Sequence, residues 1–469
     1  MPMGIYMGNL EYESGIPRRE ERLKMRSKTS RRQFLKTIGF GVAALSTYLR
    51  SGVRAASREK PNIIFIVADN LGREAVGLYK ADSTETSDRL KIKTPHLDRL
   101  ASQGVIFDNC LIGTPLCGPA RCGWNTGRHA YRVGLNSQTN PRTPEGGLSS
   151  KEITIAEVLK DAGYDTALFG KWNLGYAEKF NPIYHGFDEY YGSNAGHADY
   201  YTHLYNRDMK NHFYRNLTPI SDEGYFDKLF TDEAVKYLRA RKGNPKPFYM
   251  NLTFYAPHGP YQPPPGYYHS DDPKTNYKHM VQYLDFCVSR VVEEVDRLGI
   301  AENTLIVFLS DQGGSFLNDY GRTLSENSLK VICCARWNGR IAGGKRVRTP
   351  WLHLDLYAVF AGLAGARTPR DRVIDAIDVW SLFEGRQMEH DRTFYWTYKE
   401  EDAIRIGDLK LRMKDGNILG LFDLAADPGE EKDLASAYPE KVKQMIDLQA
   451  RWKKECEMQQ TSVTDAGKR

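Results

Sequence analysis

The sequence is poor in cysteine and shows no internal repeat. Seven cysteines in 469 residues are too few to form the disulfide framework that stabilises many small secreted proteins. Cys333 and Cys334 are adjacent within an apolar run, so we expect them to be core residues and not to form a bridge. The length is large for one domain, but α/β folds with a large sheet reach it.

Outside its first 56 positions, the sequence also lacks an excess of basic residues. The formal net charge of +6 by itself invites a nucleic-acid-binding interpretation. Residues 1–56, however, hold eleven Lys and Arg against four Asp and Glu, and without them the formal charge is about −1. The basic pI is therefore no argument for a polyanionic partner, and we expect no nucleic-acid partner.

Near the N-terminus, a hydrophobic run long enough to span a membrane is missing as well. The weakly apolar stretch from Thr37 to Leu49 is too short for a span. It follows Ser30-Arg31-Arg32-Gln33-Phe34-Leu35-Lys36, which matches the consensus of twin-arginine export signals, and small residues at Ala55 and Ala56 suggest a cleavage site. We therefore predict that residues 1–56 are a twin-arginine signal with an upstream extension, recognised by the twin-arginine translocon. The protein would then be periplasmic or secreted. The alternative is a basic disordered tail.

Buried-strand patterns alternate with helical patterns from Pro61 onwards. The runs 62–68 and 304–310 are apolar almost throughout, as strands inside a parallel sheet are. Further patterns predict strands over 164–169 and 247–254, and helices after Thr94-Pro95 and over 150–163 and 277–298. This alternation predicts an α/β fold with a large, mostly parallel, doubly wound sheet flanked by helices.

The pattern changes in the last hundred residues. Residues 403–411 start an antiparallel hairpin whose turn we place at Asp415-Gly416, and an amphipathic helix from about Pro439 closes the chain. We therefore predict a main domain over 57–370, which would carry the chemistry, and a small C-terminal α+β subdomain over 371–469.

Oxygen-bearing side chains follow two of the predicted strands. Asp69 and Asn70 come directly after the first strand, and Asp311 and Gln312 come directly after the strand 304–310. Ligands of open α/β sheets bind at the carboxyl ends of the strands, and carboxylate and amide oxygens suit Ca²⁺ or Mg²⁺ and not zinc. Acidic residues after strands are common, so the spacing alone makes this site a hypothesis.

The segment 116–128 contains a Cys-x-Pro-x-Arg box, Cys117-Gly118-Pro119-Ala120-Arg121, with Thr126-Gly127-Arg128 behind it. This box resembles the signature of the type I, formylglycine-dependent sulfatases, which include the arylsulfatases and have the alkaline-phosphatase-like fold. The resemblance implies that a formylglycine-generating enzyme oxidises Cys117 to an aldehyde, whose hydrate is the nucleophile. A thiolate that attacked a sulfate ester could not easily release the sulfonate it would carry, whereas a hydrate can expel sulfate through its second hydroxyl. Pro119 presets the turn into a helix whose N-terminal amides favour an anion. Arg121 supplies a fixed charge for the nucleophile's oxygens.

Two further segments continue the resemblance. Gly170-Lys171-Trp172-Asn173-Leu174-Gly175 resembles the family's Gly-Lys-Trp-His-Leu-Gly, which implies that Lys171 binds nucleophile and sulfate oxygens. Asn173 stands in place of the family's His, and an amide can donate a hydrogen bond to substrate but cannot take a proton. Ala256-Pro257-His258-Gly259-Pro260 resembles the Pro-His-x-Pro element, so His258 is the candidate to protonate the leaving alcohol or to bind sulfate.

The resemblance also implies that Ca²⁺, in preference to Mg²⁺, is bound by Asp69, Asn70, Asp311 and Gln312 together with the converted Cys117. The family usually has Asp where Asn70 stands, and Asn or His where Gln312 stands. Two carboxylates in place of three should weaken the binding of a divalent ion. A second family Lys, five residues before a Glu, falls on Gly321; the neighbouring Arg322 is a candidate to bind the sulfate instead.

These residues support three hypotheses. The first is an exported sulfatase that hydrolyses carbohydrate or aryl sulfates. The second is a degenerate sulfatase-like protein that binds sulfated glycans without turnover, which Asn70, Asn173 and Gly321 favour because each removes a charge or a proton carrier. The third is a phosphodiester or phosphonate ester hydrolase. We favour the first, because the nucleophile box is retained.

Overall fold

The computed structural model describes residues 60–82, 92–143, 145–313 and 322–460. The predicted export signal and Gly321 lie outside these residues. The described residues belong to one compact unit. None of their helices is long and apolar enough to cross a membrane.

Strands and helices are interspersed along the described part of the chain. The strands are β1 (Asn62–Ala68), β2 (Val105–Phe107), β3 (Cys110–Leu111), β4 (Asp165–Lys171), β5 (Glu189–Ser193), β6 (Leu204–Tyr205), β7 (Lys210–Asn211), β8 (Phe213–Arg215), β9 (Thr218–Pro219), β10 (Phe248–Thr253), β11 (Thr304–Ser310), β12 (Cys333–Arg336), β13 (Lys345–Val347), β14 (Trp351–Leu352), β15 (Thr393–Tyr398), β16 (Glu401–Ile406), β17 (Leu409–Lys414) and β18 (Asn417–Asp423). The α-helices are α1 (Pro95–Ser102), α2 (Cys117–Thr126), α3 (Ala130–Val133), α4 (Ile155–Asp161), α5 (Phe226–Ala240), α6 (Pro273–Arg297), α7 (Glu326–Leu329), α8 (Leu356–Leu363), α9 (Trp380–Phe383) and α10 (Pro439–Glu457).

Ten of the described strands form one mixed sheet in the order β13-β2-β12-β11-β1-β10-β4-β5-β8-β9. Its central strands, β11, β1, β10, β4 and β5, pair in parallel. The strands that flank this centre, β12 and β8, run antiparallel to their inner neighbours. The predicted α/β fold with a large sheet is confirmed. Of the five central strands, β1, β4, β10 and β11 were predicted from the sequence, and β5 was not.

Helices cover both faces of the sheet. Ile63, Phe65 and Val67 of β1 pack with residues of α2, α4 and α8, whereas Ile64 and Ile66 pack on the other face with residues of α1, α5 and α6. Successive side chains of a strand point to opposite faces, so a strand that is apolar at every position must be covered on both sides. The apolar run of β1 thus required the two helical layers.

Most predicted elements exist, but several predicted bounds are wrong. The strands β1 and β11 begin and end where the sequence predicts. The helix predicted over 150–163 begins only at Ile155, because Thr154 and Glu157 form a capping box that starts it there. The helix predicted from residue 277 begins at Pro273, because Asp272 caps it and proline favours the first helical turn.

The C-terminal segment carries a separate antiparallel sheet, in the order β15-β16-β17-β18. The turn predicted at Asp415-Gly416 joins β17 to β18; the hairpin over 403–411 turns instead at Gly407-Asp408. Trp396 of β15 donates from Nε1 to the carbonyl oxygen of Ile112 at 2.8 Å, which fastens this sheet to the segment just before α2. The border predicted at residue 370 stays a prediction.

Candidate active site

Four neighbouring strands deliver the predicted site residues to one edge of the sheet. Asp69 follows β1, Lys171 is the last residue of β4, His258 lies in the loop after β10, and Asp311 follows β11. Because β11, β1, β10 and β4 are consecutive in the sheet and parallel, their carboxyl ends lie side by side. The sheet order therefore gathers residues that are up to 242 positions apart.

Cys117 is the first residue of α2 and is buried beside this edge. Its Sγ lies 3.6 Å from Oδ1 of Asp69, and Nε2 of Gln312 donates to it at 3.1 Å. Burial and the charge of Asp69 raise the pKa of the Cys117 thiol to about 12. The thiol is therefore protonated at neutral pH and is a poor nucleophile as it stands.

Arg121 lies one turn further along α2 and joins the two carboxylates. Its Nη2 lies 2.9 Å from Oδ2 of Asp311 and 3.4 Å from Oδ2 of Asp69, and its Nη1 donates to the carbonyl oxygen of Lys171 at 2.8 Å. All three ionic side chains are buried. Burial opposes the charge of the guanidinium, but Asp311 and Asp69 more than offset this and raise the pKa of Arg121.

Lys171 forms a direct ion pair with Oδ2 of Asp69. Burial alone would raise the pKa of Asp69, but Lys171, His258 and Arg121 lower it. Asp311 behaves in the opposite way, because burial and the neighbouring charge of Asp69 raise its pKa to about 6. Asp69 is thus the carboxyl that ionises first, and Asp311 is balanced mainly by Arg121.

The oxygen donors predicted to hold a cation lie together at this edge. The backbone N–H of Asn70 donates to Oδ1 of Asp311 at 3.1 Å, and Asn70 itself adopts a left-handed conformation with φ of 63°. Asp69, Asp311, Asn70 and Gln312 are all buried. Buried carboxylate and amide oxygens from two adjacent strand ends are a donor set that fits Ca²⁺ or Mg²⁺.

A different group of donors also clusters here. Single ligand atoms of Asp69, Cys117 and His258 all lie within 4.8 Å of one another. A carboxylate, a thiol and an imidazole would suit a softer metal ion. The two carboxylates and two amide side chains at the same edge suit Ca²⁺ or Mg²⁺ instead.

His258 faces the same space. Burial lowers its pKa, Lys171 and Arg322 act in the same direction, and Asp69 opposes them. Nδ1 of His258 lies 2.6 Å from the carbonyl oxygen of Gly259, so Nδ1 carries the hydrogen and Nε2 is left for another partner. Arg322 is exposed and close enough for its charge to act on His258.

Sequence reasoning missed His197. Its ring stacks on that of His258 with the centroids 5.5 Å apart and the planes at 23°. Burial and the neighbouring His258 lower the pKa of His197 to about 4. His197 lies four residues after the end of β5, the strand next to β4, so the rule that ligands bind at strand ends would have pointed to it.

The fold and the site define an alkaline-phosphatase-like α/β protein, in which carboxylates and cations meet beside a helix N-terminus at the carboxyl edge of the sheet. The sulfatase family model matches residues 61–366. The chain belongs to the sulfatase family, as the Cys-x-Pro-x-Arg box predicted, and it is a sulfuric ester hydrolase. The family match does not favour the hypothesis of a glycan-binding protein without turnover.

Named relatives agree with this assignment. N-acetylgalactosamine-6-sulfatase of Canis lupus familiaris is 29% identical over 387 residues, which cover 76% of this chain and 72% of that protein. Steryl-sulfatase of Homo sapiens is 28% identical over 446 residues, which cover 73% of each. The crystal structure of Ps i-CgsB in complex with k-i-k-neocarrahexaose is 27% identical, has a TM-score of 0.77, and covers 87% of this chain and 96% of that chain.

Proposed function

We propose that this sulfatase is exported and hydrolyses sulfate esters, of carbohydrate or aryl type, with a formylglycine made from Cys117 and a bound Ca²⁺ ion. The observation that carries the proposal is the position of Cys117. It is the first residue of a helix, and its Sγ lies 3.6 Å from a carboxylate oxygen of Asp69. Arg121, Lys171 and His258 all interact with that same carboxylate.

Asp69, Asn70, Asp311 and Gln312, with the converted Cys117, are the residues that would hold Ca²⁺. The ion would supply positive charge that lowers the pKa of the nucleophilic hydroxyl and balances the sulfate. Without it, Lys171 and Arg121 already neutralise the two carboxylates. An added dication must therefore be offset by anionic ligands, and the sulfate ester itself supplies one.

The remaining steps use the chain's own residues. The ammonium of Lys171 binds the sulfate oxygens, and the positive end of the α2 dipole favours their negative charge. Arg121 fixes both carboxylates, so that they cannot turn away from the nucleophile. Burial keeps His258 neutral in the free site; an incoming sulfate anion favours the imidazolium, which then donates its proton to the leaving alcohol oxygen.

Two of the three names given above favour a carbohydrate substrate over the sterol that the third, steryl-sulfatase, is named for. The relative from Canis lupus familiaris is named for a sulfated amino sugar, and the solved structure at 27% identity holds a neocarrahexaose. We therefore propose that a sulfated glycan, in polymer or fragment form, is the partner of this site.

The first experiment is the mass of the peptide that contains Cys117, from protein made in a host with a formylglycine-generating enzyme. We expect the aldehyde at Cys117, release of sulfate from sulfated glycans, and loss of that release in Cys117→Ala. Cys122→Ala is the matched control, because Cys122 is a buried thiol in the same helix that has no part in the proposed chemistry. Normal hydrolysis by Cys117→Ala would refute the mechanism.

Export through the twin-arginine translocon, to the periplasm or the medium, is the last part of the proposal. It rests on Arg31 and Arg32 in the N-terminal segment. We expect replacement of both by Lys to keep the enzyme inside the cell, whereas the same change at Arg18 and Arg19 should leave export intact. Equal export of both variants, measured by fractionation, would refute this route.

A further inference from the structure

In the side-chain amide of Asn173, the oxygen forms a hydrogen bond with another described residue and the nitrogen does not. Asn173 is fully buried and adopts a left-handed conformation with φ of 60°. Its Oδ1 accepts a hydrogen bond from Nε2 of Gln138 at 2.7 Å. Its Nδ2 has no hydrogen-bond partner among the described residues. A buried donor without an acceptor is unfavourable, so Nδ2 is available to an acceptor that comes from outside the folded chain.

Gln138 determines which end of the Asn173 amide is left over. Oε1 of Gln138 lies 3.4 Å from the backbone nitrogen of Gly118, the second residue of α2. A backbone N–H can only donate, and the positive end of a helix favours an oxygen over an NH₂ group. Gln138 must therefore turn its oxygen to the helix and its Nε2 to Asn173, which in turn must accept through Oδ1. The free atom of Asn173 is a donor.

This free donor lies against the first turn of α2. A Cβ atom on Gly118, the residue next to Cys117, would lie 3.6 Å from Nδ2 of Asn173 and 3.2 Å from its backbone oxygen. On the other side, a Cβ atom on Gly196 would lie 2.5 Å from Nε2 of Gln138 and 3.0 Å from Oδ1 of Asn173. The amide pair is thus enclosed between the helix N-terminus and the loop that carries His197.

We propose that Gln138 is a positioning residue that holds the Asn173 amide so that Nδ2 donates a hydrogen bond to an oxygen of the bound sulfate group. This inference rests on the proposed function, because it assumes that sulfate binds at the N-terminus of α2. It gives the substitution of Asn for the family's His a physical role: the donor is kept, and its direction is fixed by a second amide.

The test reverses the polarity of the chain of hydrogen bonds. In Gln138→Glu the carboxylate cannot donate, so Asn173 must turn its NH₂ group to residue 138 and its oxygen to the sulfate. We expect the dissociation constant of inorganic sulfate, measured by calorimetry on the calcium-loaded protein, to rise at least tenfold. At pH values below the pKa of the new carboxyl, the dissociation constant should return towards that of the parent protein, because a protonated carboxyl can donate a hydrogen bond again. Gln444→Glu, on the exposed face of α10, controls for the added charge.

A double-mutant cycle separates this effect from simple charge repulsion. In an Asn173→Leu background there is no amide to turn, so Gln138→Glu should weaken sulfate binding much less than it does in the parent protein. Equal weakening in both backgrounds would overturn the proposal, as would no sulfate binding by the parent protein. If Gln138→Glu does not fold, Gln138→Met can be tested instead, because it removes the polar contacts without adding charge. We expect it to weaken sulfate binding less than Gln138→Glu would. No weakening of sulfate binding would contradict the proposal.

The readouts also separate this inference from the proposed function. Formylglycine at position 117 and sulfate release by the parent protein test the function alone. Suppose that the parent protein hydrolyses sulfated glycans, but the effects of Gln138→Glu and Asn173→Leu on sulfate binding simply add. That result would refute the role of Gln138 and would still support the proposed function.

Discussion

Replacing Arg121 by Met should expose how strongly the site depends on one guanidinium. Nη2 of Arg121 lies 2.9 Å from Asp311 and 3.4 Å from Asp69, and all three side chains are at most 1% exposed. Lys171 still pairs with Asp69 in the variant, so the carboxylate that loses its cationic partner is that of Asp311. Breaking a buried pair by removing one partner costs about 3–5 kcal/mol, and we expect the free energy of unfolding at pH 7 to fall by that amount.

The loss should depend on pH in a defined direction. Burial and Asp69 raise the pKa of Asp311 to about 6 in the folded protein, and loss of Arg121 raises it further. Below that pKa the folded carboxyl is protonated, so the missing guanidinium matters less. The difference between Arg121→Met and the parent protein should therefore shrink as the pH falls from 7 to 5.

The assay is urea unfolding followed by tryptophan fluorescence, with a chelator present so that no divalent ion replaces the lost charge. Arg215→Met is the matched control, because Arg215 pairs with Glu233 at 2.9 Å but is 43% exposed, and such pairs contribute about 0–1 kcal/mol. A loss for Arg121→Met no larger than that of the control, or one that is the same at pH 7 and pH 5, would refute the reasoning.

Four further predictions follow from the same structure. Burial raises the pKa of Asp227 to about 7, so the folded state holds a proton that the unfolded state releases near pH 4; the stability should fall as the pH rises from 4 to 7, and Asp227→Asn should flatten that slope in urea unfolding. Glu326→Gln should lower the free energy of unfolding in the same assay by about 3 kcal/mol, because it leaves the buried Lys410 and Arg405 with less negative charge; a change below 1 kcal/mol would contradict this. Trp396→Phe should lower the free energy of unfolding in urea by about 1 kcal/mol, because it removes the hydrogen bond from Nε1 to the carbonyl oxygen of Ile112. Chelation should abolish sulfate release and lower the melting temperature, and added Ca²⁺ should restore both; full activity in excess chelator would rule out the metal.

The sequence was sufficient for the parts of this protein that depend on local pattern. The unbroken apolar runs of β1 and β11 predicted their own bounds and the helical layers on both faces, because a strand buried on both sides has no polar position. The box that starts at Cys117 predicted the helix start at α2 and the family. The first residues of helices were harder to predict, since Thr154 or Asp272 begins a helix only when its side chain accepts a hydrogen bond from a backbone N–H group of the first turn.

Tertiary structure alone decided which of the candidate residues meet. Asp69, Lys171, His258 and Asp311 face one another because β11, β1, β10 and β4 lie side by side, and strand order is set by packing between segments far apart in the sequence. The same holds for the residues that were missed. Neither Gln138 nor His197 belongs to a motif, and each is connected to the site only through a neighbour, Asn173 at 2.7 Å and the stacked ring of His258. Local spacing determines secondary structure, whereas an active site depends on distances between segments that are far apart in the sequence.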